Sequence, residues 1–530
     1  MLLASLSLEA AGGTADDAAG FQERCGALAE FAIPSSEINL PTRGAAVKES
    51  RLAPAGGDND LGEYCLVLGE VAAVSASAQP IRFQLALPTR WNRKMLQRGS
   101  GGLRGVAISP VVGTANLPSR DTVARGYAVF ANGSGHMGKP ADASFALEAE
   151  QLANFAGERI NKTFDAVSAI VERYYGQAAE YSYFMGGSSG GREAVTAMRD
   201  YAGDYQGVIA IYPDLGFTRM VLRAQLVLRA MTRDDGAGRI DGVQAGLLRE
   251  QVLAACDGGD GLEDGILSNP ESCRFDFDRL RCPDEREAGA ECFSDAQLDT
   301  LQLMHSPVQL NYRFRDGQDS LPAHAIGTEW TSWLLNLGGE ASSRGIPVLG
   351  MYRLLPPGFL KFMVARDPEF DVSGFDPMAP GALQPRLLVV AGMLDRVDAD
   401  IGGYMERGGK LILVHGRADE LSPERETIRF HDGLVNRYGE QAVNGAVAFY
   451  LVPGYGHGHG AGFRATGGMP LLPALEGWVE NGVAPGTLTA VDTNRNAAWR
   501  TRPMCRYPAW PKYDGKGDPD RAASFRCADP

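Results

Sequence analysis

Two adjacent serines between glycines are the residues of this chain best suited to nucleophilic chemistry. They lie in the segment GGSSGGRE, residues 186–193, between an apolar run and a stretch of helical character. A strand, the pattern Gly-x-Ser-x-Gly and a helix form a nucleophile elbow, whose sharp turn leaves little room for flanking side chains. Ser188 and Ser189 both satisfy the pattern, in different registers, and a plain Gly/Ser turn would have the same composition. The pattern predicts a serine nucleophile without choosing between the two.

A serine nucleophile needs a histidine base, which in this kind of site follows the serine along the chain. The chain has seven histidines. Two of them, His457 and His459, lie in the loop GYGHGHG directly after an apolar run typical of a buried strand. His415 ends another strand-like run and is interpreted as a structural partner. The base is therefore expected in the GYGHGHG loop, and we favour His457.

The acid that orients the histidine is expected in the loop after the preceding strand. The apolar run 410–415 opens into GRADELSP, where Asp419 is the first carboxylate and Glu420 the nearest alternative. A serine, an acid and a histidine in this chain order predict hydrolysis through an acyl-enzyme.

The elements that must position these residues are predicted from periodicity. Runs of β-branched and aromatic residues alternate with helical patterns, which is typical of α/β architecture. Apolar residues at helical spacing predict a helix over 142–175, and the nearly all-apolar runs near the carboxyl terminus predict central strands. Strands are predicted at 81–87, 94–98, 127–132, 181–185, 207–211, 387–391, 410–415 and 446–452.

The middle of the chain has a different character, with close cysteine pairs, an acidic glycine-rich loop and aromatic clusters but no comparable series of strands. We interpret residues 213–376 as an inserted lid domain that interrupts a catalytic domain formed by 21–212 and 377–530. Residues 1–20 lack the basic start of a signal peptide and are interpreted as a disordered segment or the remainder of an export signal. Residues 499–530 are predicted to be an irregular tail. The aromatic residues of the lid are interpreted as core residues and not as lining of a substrate pocket. They are Trp330, Trp333, Tyr352, Phe359 and Phe362.

The composition excludes several classes of protein. Hydrophobic residues are 44% and charged residues 22%, values ordinary for a globular protein and unlike those of a disordered or fibrous chain. The chain has 51 Lys and Arg residues and 65 Asp and Glu residues, so its net charge is −14. This negative charge disfavours a nucleic-acid partner. No apolar run approaches the roughly 18 residues that span a bilayer, so no membrane association is expected.

The eight cysteines are even in number and include no CxxC pair, so a zinc site is not indicated. Sequence does not determine connectivity, and the alternative is eight buried thiols in a cytosolic protein. We favour disulfides and an exported protein, secreted or periplasmic. The simplest pairing joins neighbours: Cys25–Cys65, Cys256–Cys273, Cys282–Cys292 and Cys505–Cys527.

Three segments together resemble the tannase/feruloyl esterase family of secreted α/β hydrolases, which includes a mono(2-hydroxyethyl) terephthalate hydrolase. The resemblance extends over roughly residues 82–506. It implies an α/β-hydrolase fold with a large inserted lid domain, with Ser188 as nucleophile, His457 as base and Asp419 as acid. The segments are GGSSGGR at 186–192, GGKLILVHGRAD at 408–419 and VPGYGH at 452–457; WN at 91–92 with GSGG at 99–102 resembles the oxyanion loop, and FLKFMV at 359–364 the lid.

The oxyanion hole is expected to consist of the backbone N–H groups of Ser189 and of Gly101 or Gly102. One position departs from the family pattern on each side of the site. Where the family usually has a cysteine before the serine and another after the histidine, joined as a disulfide, this chain has Gly187 and Gly458. The two cysteines are thus absent together, and the loss of their disulfide is expected to loosen the link between the serine loop and the histidine loop.

The loop CDGGDGLEDGI, residues 256–266, places carboxylates between glycines, as a calcium site requires. The same residues would also form a solvated acidic turn, and their spacing is not that of an EF-hand. The family resemblance implies structural Ca²⁺ here. It implies carboxylate ligands from Asp257, Asp260 and Asp264 and backbone oxygens from Leu262 and Ile266.

The leading hypothesis is a secreted serine hydrolase that cleaves small aromatic carboxylic esters of feruloyl, galloyl, phenolic or terephthalate type. An alternative is the same triad acting on non-aromatic esters, thioesters or peptides. A third hypothesis is a calcium-stabilised binding protein with an inactive triad, against which the presence of Ser188, Asp419 and His457 argues.

Overall fold

The structure is a computed structural model, whose residues 15–103, 105, 109–111, 120–138, 141–283, 291–328, 351–398, 400–458, 462–494 and 499–529 are described. The alternative base His459 and the aromatic residues Trp330 and Trp333 lie outside these residues, as do the Tyr352 side chain and most of the predicted segment 1–20. Among the described helices, none is long and apolar enough to cross a membrane.

A ten-stranded mixed sheet forms the centre of the molecule. Its order is β1-β2-β3-β4-β6-β5-β7-β8-β11-β12, antiparallel from β1 to β6 and parallel from β6 to β12. The described strands are β1 (Ala32–Ile33), β2 (Ala45–Ala53), β3 (Tyr64–Val71), β4 (Ile81–Pro88), β5 (Lys94–Arg98), β6 (Ala128–Asn132), β7 (Tyr181–Gly187), β8 (Gly207–Ile211), β9 (Val308–Gln309), β10 (Ser320–Leu321), β11 (Lys410–Gly416), β12 (Val447–Val452), β13 (Leu488–Val491), β14 (Thr501–Met504), β15 (Trp510–Tyr513) and β16 (Phe525–Ala528).

Helices cover both faces of this sheet, and several more lie in the described part of the segment between β8 and β11. The α-helices are α1 (Ala15–Gly26), α2 (Arg120–Ala124), α3 (Ala149–Ala153), α4 (Arg159–Tyr175), α5 (Ser189–Asp200), α6 (Phe217–Thr232), α7 (Gly242–Cys256), α8 (Asp295–His305), α9 (Met351–Gly358), α10 (Gln384–Leu394), α11 (Gly402–Glu406), α12 (Glu424–Tyr438), α13 (Glu440–Asn444) and α14 (Leu471–Asn481). Two π-helical segments are Asn154–Glu158 and Phe359–Ala365. The 3₁₀ helices are Ser35–Glu37, Ser144–Leu147, Asp234–Gly236, Asp257–Asp260, Pro270–Ser272, Phe277–Leu280, Gly381–Leu383 and Ala522–Ser524.

The parallel half of the sheet forms because its strands are apolar on both faces. Every residue of β8 and β12 is buried, and so is every residue of β11 after the first. One face packs against Trp478 and Leu475 of α14, and the other against Phe430 and Leu434 of α12. The predicted α/β class is confirmed by this large sheet covered with helices.

One predicted strand, at 387–391, is wrong. These residues lie in α10, which packs against the apolar cluster of α6 and the segment Phe359–Ala365 instead of joining the sheet. A short apolar run is compatible with a buried strand and with a buried helix, and periodicity does not separate them. Seven of the eight predicted strands are present, with ends shifted by no more than two residues.

The predicted helix over 142–175 is interrupted. A 3₁₀ helix, α3 and a π-helical segment precede α4, and Gly157 within the π-helical segment has φ +151°. A Cβ on Gly157 would lie 2.7 Å from Cγ2 of Thr196, so α5 packs here against bare backbone. This close contact is tertiary, and it bends a segment whose apolar spacing is that of one continuous helix.

The sequence analysis missed the antiparallel strands β1 to β3 and the short strands of the tail. In β2, charged residues such as Lys48 and Glu49 interrupt the apolar alternation because this part of the strand is exposed. The tail is not irregular, since β14 pairs with β13 and β15 pairs with β16.

Candidate active site

The parallel strands bring four loops to one edge of the sheet. Strands β7, β8, β11 and β12 lie side by side, with Gly187 opposite Ile211 and Gly416 opposite Val452 in register. The residues that follow these strands therefore meet at the carboxyl edge, where open α/β sheets bind ligands.

Ser188 lies at the turn between β7 and α5, with φ 62° and ψ −128°. A positive φ is uncommon for a residue with a side chain and marks a strained position. The turn closes so tightly that a Cβ on Gly186 would lie 2.1 Å from the carbonyl oxygen of Gly190. The glycines of the motif are thus required by backbone contact, as expected for a nucleophile elbow.

The imidazole of His457 connects this serine to an aspartate. Its Nε2 lies 2.7 Å from Oγ of Ser188, and its Nδ1 lies 2.9 Å from Oδ2 and 3.1 Å from Oδ1 of Asp419. Three predicted residues from three strand ends therefore form one hydrogen-bonded series. In this series the His457 Nδ1–H donates to the Asp419 carboxylate, which leaves Nε2 to accept from the Ser188 hydroxyl.

Asp419 is fully buried and surrounded by donors. The N–H groups of Leu421 and Ser422 donate to Oδ1 at 2.9 and 2.8 Å, and Nε2 of His415 lies 3.2 Å from Oδ2. Burial acts to raise the pKa of Asp419, but the charge and hydrogen bond of His457 and those of His415 outweigh it and hold the pKa well below its usual range. The carboxylate is therefore ionised and oriented.

The alternative residues occupy different places. Glu420 accepts the backbone N–H of His457 at 3.3 Å, so it contacts the backbone of the loop that carries the imidazole. His415 is a structural partner, as predicted: its Nε2 donates to the carbonyl of Ser422 at 2.9 Å and its Nδ1 lies 2.8 Å from Oγ1 of Thr427.

The hydroxyl of Ser189 donates to Oδ2 of Asp214 at 2.9 Å. Asp214 is buried and lies 3.3 Å, through Oδ1, from Nε of Arg192. Ser189 is the first residue of α5, where N–H groups have no partner within the helix and the helix dipole favours an anion.

The glycine-rich loop after β5 packs directly on the start of α5. A Cβ on Gly99 would lie 2.6 Å from Cα of Gly190. The next residue, Ser100, donates through N–H and Oγ to the buried carboxylate of Glu193 at 3.0 and 2.5 Å, and Arg159 pairs with the same carboxylate. The predicted oxyanion residues Gly101 and Gly102 follow at once, and Gly102 has φ +59°.

Ser188, His457 and Asp419 thus form a hydrogen-bonded Ser-His-Asp arrangement. A comparison with known families shows where the chain belongs. The family model described as tannase and feruloyl esterase matches residues 65–528. The chain belongs to the tannase and feruloyl esterase family. The protein is a carboxylic ester hydrolase.

Relatives of this family match along nearly the whole chain. An esterase of Agrobacterium fabrum, described as uncharacterized, is 34% identical over 99% of this chain and 96% of its own length. Mono(2-hydroxyethyl) terephthalate hydrolase of Piscinibacter sakaiensis is 27% identical over 89% of this chain and 85% of its own length. The crystal structure of feruloyl esterase B from Aspergillus oryzae has a TM-score of 0.79 at 20% identity, covering 96% of this chain and all of that one, which shows a shared fold.

The four disulfides of this family member pair as predicted, neighbour with neighbour. They lie at the amino terminus, in the segment between β8 and β11, and in the tail. They join Cys25 to Cys65, Cys256 to Cys273, Cys282 to Cys292, and Cys505 to Cys527.

The acidic loop of the predicted calcium site binds its own backbone. Asp257 accepts from the N–H of Gly265, Asp260 from that of Leu262 and Asp264 from that of Ile266, at 2.9 to 3.1 Å. Arg502 pairs with the second oxygen of Asp264. Within the described part of the chain, no three His, Cys, Asp or Glu side chains converge as a metal site requires.

Several residues of the site carry no signal in the sequence. Glu193 and Arg159, which hold the loop at Ser100, are ordinary charged residues of two helical patterns. Tyr212, which packs against His457 with ring centroids 4.8 Å apart, is one tyrosine among 17. The tertiary fold, and no local sequence pattern, brings such residues to the triad.

Proposed function

We propose that the protein hydrolyses aromatic carboxylic esters through Ser188, His457 and Asp419. The observation that carries this proposal is the hydrogen-bonded chain from Ser188 Oγ through the His457 imidazole to the buried Asp419 carboxylate. A serine within 3 Å of an oriented histidine is the arrangement that activates a hydroxyl for acyl transfer.

In the first half of the reaction, His457 Nε2 takes the proton of Ser188 as Oγ attacks the carbonyl carbon of the ester. The carbonyl oxygen becomes an oxyanion, and the N–H groups of Ser189 and of Gly101 or Gly102 stabilise it. His457 then gives the proton to the alcohol oxygen as the ester bond breaks. The alcohol leaves and the acyl group remains on Ser188.

In the second half, water replaces the alcohol. His457 takes a proton from the water as its oxygen attacks the acyl carbon, and returns the proton to Ser188 Oγ as the carboxylic acid leaves. Asp419 stabilises the imidazolium in both halves without taking the proton itself.

Aromatic acyl groups are proposed because relatives are described as feruloyl esterases and as a hydrolase of mono(2-hydroxyethyl) terephthalate. The test is a panel of esters that share one alcohol and differ in the acyl group, namely hydroxycinnamoyl, galloyl, terephthaloyl, butyryl and octanoyl, together with thioesters and aminoacyl anilides. We expect kcat/KM to be at least tenfold higher for the aromatic esters. Equal or higher values for the aliphatic esters, thioesters or anilides would refute the aromatic preference.

We also propose that the helical segment between β8 and β11 is the lid of an α/β-hydrolase fold. Phe155, near the site, contacts Phe217 of α6, which in turn contacts Phe359, with ring centroids 6.5 and 6.0 Å apart. Phe359 is fully buried and Phe362 half-buried in the same cluster, which supports packing roles for both. Because α10 packs against α6, we extend the lid from residue 376 to the end of α10.

Structural Ca²⁺ at the acidic loop is a further part of the proposal. Asp257 and Asp260 are buried, and Oδ1 of Asp257 has no hydrogen-bond partner among the residues that the structure describes. Burial and neighbouring carboxylates raise the pKa of both groups, that of Asp260 to about 6. A bound cation would offset that charge, and these two residues fit it. Asp264 would join only by releasing Arg502, and Leu262 and Ile266 would contribute backbone oxygens.

An oxidising compartment is proposed because four disulfides cross-link the chain. Disulfides of this number persist in secreted and periplasmic proteins and are rare in the cytosol.

A further inference from the structure

Tyr212 lies at the point where three strands of the site meet. It follows the last residue of β8 directly, has φ 35° and is fully buried. Its N–H donates to the carbonyl of Val414 in β11 at 2.7 Å, while the N–H of Ser188 donates to the carbonyl of the residue before it, Ile211, at 3.0 Å. The backbone of Tyr212 is therefore tied between the serine strand and the aspartate strand.

The side chain of Tyr212 reaches the histidine loop. Its ring centroid lies 4.8 Å from that of His457, with the planes tilted by 53°, and 5.7 Å from that of Tyr455. The Tyr212 hydroxyl hydrogen-bonds the Tyr455 hydroxyl. Tyr455 is held in turn by Thr466, whose Oγ1 lies 2.8 Å from the Tyr455 hydroxyl.

The hydroxyl end of the Tyr212 ring also contacts the serine strand. A Cβ on Gly187 would lie 2.9 Å from the Tyr212 hydroxyl oxygen and 3.0 Å from two of its ring carbons. Any side chain at position 187 would therefore displace the ring, and glycine is what lets Tyr212 fit beneath Ser188. The ring takes up the space between the residue before the nucleophile and the imidazole of the base.

We propose that Tyr212 is a positioning residue for the reaction: a buried wedge that holds the His457 imidazole at its distance from Ser188, with Gly187 as its steric counterpart. This inference rests on the proposed function, because the distance matters only if Ser188 and His457 are nucleophile and base. No disulfide links the two loops at Gly187 and Gly458, and the Tyr212 ring contacts both sides instead.

The physical reason is the sensitivity of proton transfer to distance. A general base acts within about 2.6–3.2 Å of the proton donor, and a misplacement of about 1 Å can reduce the rate on the order of 100-fold. Truncation of Tyr212 would leave a cavity beside the imidazole, into which the histidine loop can move. Because Tyr212 is fully buried, we expect its truncation to change KM much less than kcat.

The experiment compares Tyr212→Ala, Tyr212→Phe and a matched control, Tyr205→Ala, in the full-length enzyme. Tyr205 is also a buried tyrosine with a hydrogen-bonded hydroxyl. It packs beside Gln97 and Phe184, in the apolar cluster on the face of the sheet that α12 covers. We expect Tyr212→Ala to lower kcat about 30- to 100-fold per folded molecule with KM changed less than about twofold. Tyr212→Phe keeps the ring and should retain kcat within about threefold, and Tyr205→Ala should lower the melting temperature but keep kcat.

A second variant tests the wedge from its other side and does not depend on the folding of Tyr212→Ala. Gly187→Ala should lower kcat about tenfold or more in the wild type by pushing the ring against His457. In the Tyr212→Ala background the added methyl has room, so its effect should shrink at least threefold. Additive effects, a wild-type kcat in Tyr212→Ala, or the same kcat loss in Tyr205→Ala would each overturn the inference.

Ser188→Ala separates this inference from the proposed function. If Ser188→Ala stays active, the triad assignment itself is wrong. If Ser188→Ala is inactive while Tyr212→Ala and Gly187→Ala keep wild-type kcat, only the positioning role of Tyr212 is wrong.

Discussion

The hydroxyl of Ser189 donates to the buried carboxylate of Asp214 at 2.9 Å. This hydrogen bond engages the second serine of the motif, while the first serine contacts His457. Two registers that are equal in the sequence are thus distinguished by the partners that each hydroxyl meets.

Ser188→Ala is expected to lower kcat by at least about 10³-fold, because the nucleophile is lost and only binding and the oxyanion donors remain. Ser189→Ala keeps its backbone N–H and should lose about tenfold or less. The measurement is kcat with the best ester of the panel, together with covalent labelling by a fluorophosphonate. The reverse order of the two variants, or labelling of Ser188→Ala, would contradict the assignment.

Asp419→Asn should lower kcat about 10³- to 10⁴-fold with the fold retained, since an amide no longer holds His457 in the tautomer that accepts from serine. Glu420→Gln is the matched control, because Glu420 is the neighbouring carboxylate and accepts the backbone N–H of His457. It should lose less than about tenfold. A larger loss in Glu420→Gln than in Asp419→Asn would exchange their roles.

Ser100→Ala tests the loop that carries the proposed second oxyanion donor, Gly101 or Gly102. The variant removes the hydroxyl that donates to Glu193 but keeps the ion pair of Glu193 with Arg159. We expect kcat to fall about tenfold and stability to fall by about 1 kcal/mol. Glu193→Gln should instead destabilise the protein by about 3 kcal/mol or more, because it leaves the Arg159 charge buried without its partner. Thermal unfolding and kcat distinguish the two effects. An unchanged kcat in folded Ser100→Ala would show that the position of this loop does not affect catalysis.

Glu424→Gln is expected to stabilise the protein at high pH. The Glu424 side chain is fully buried, and within the described part of the chain neither of its oxygens has a hydrogen-bond partner. Burial raises its pKa to about 7 despite the nearby charges of Arg425 and Arg417. The folded state therefore binds this proton more tightly than the unfolded state, whose pKa is about 4.3. The protonated Glu424 side chain makes its full contribution to stability below about pH 4. This contribution is lost as the pH rises towards 7, because the unfolded state releases the proton while the folded state still holds it.

Replacing Glu424 with Gln removes this loss, so the free energy of unfolding should rise by roughly 3 kcal/mol at pH 8 and stay unchanged at pH 4. Denaturant unfolding at both values measures it. Glu440→Gln, at an exposed carboxylate that begins α13, is the control and should change neither value. A gain at pH 4 equal to that at pH 8 would show that the charge is not the cause.

Chelation should lower the melting temperature if Ca²⁺ binds the acidic loop. An ion that binds only the folded state stabilises it by about 2.7 kcal/mol at a hundredfold excess over Kd. Asp260→Ala should reproduce the effect of EDTA and abolish the response to added Ca²⁺, and Asp278→Ala, at an exposed carboxylate of the same segment, should not. Loss of turnover without any change in melting temperature would mean that the ion acts in the active site. If chelation changed neither turnover nor melting temperature, the proposal of a calcium site would be refuted.

The sequence by itself determined the features that depend on a short window. The elbow was predictable because Gly186 and Gly190 meet backbone at distances that exclude any Cβ, and the central strands because burial on both faces leaves an apolar run. The disulfides follow the simplest pairing, neighbour with neighbour, which the sequence suggested but did not determine.

Only the tertiary structure decided the rest. The run 387–391 is apolar enough for a strand, yet it packs as part of α10 because its neighbour is another helix and not a strand edge. The position of Tyr212 beneath His457 depends on β8 lying between β7 and β11, which joins residues more than 200 positions apart. Local sterics and periodicity act over a few residues and are visible in the chain, whereas the order of strands sets distances between segments that share no local signal.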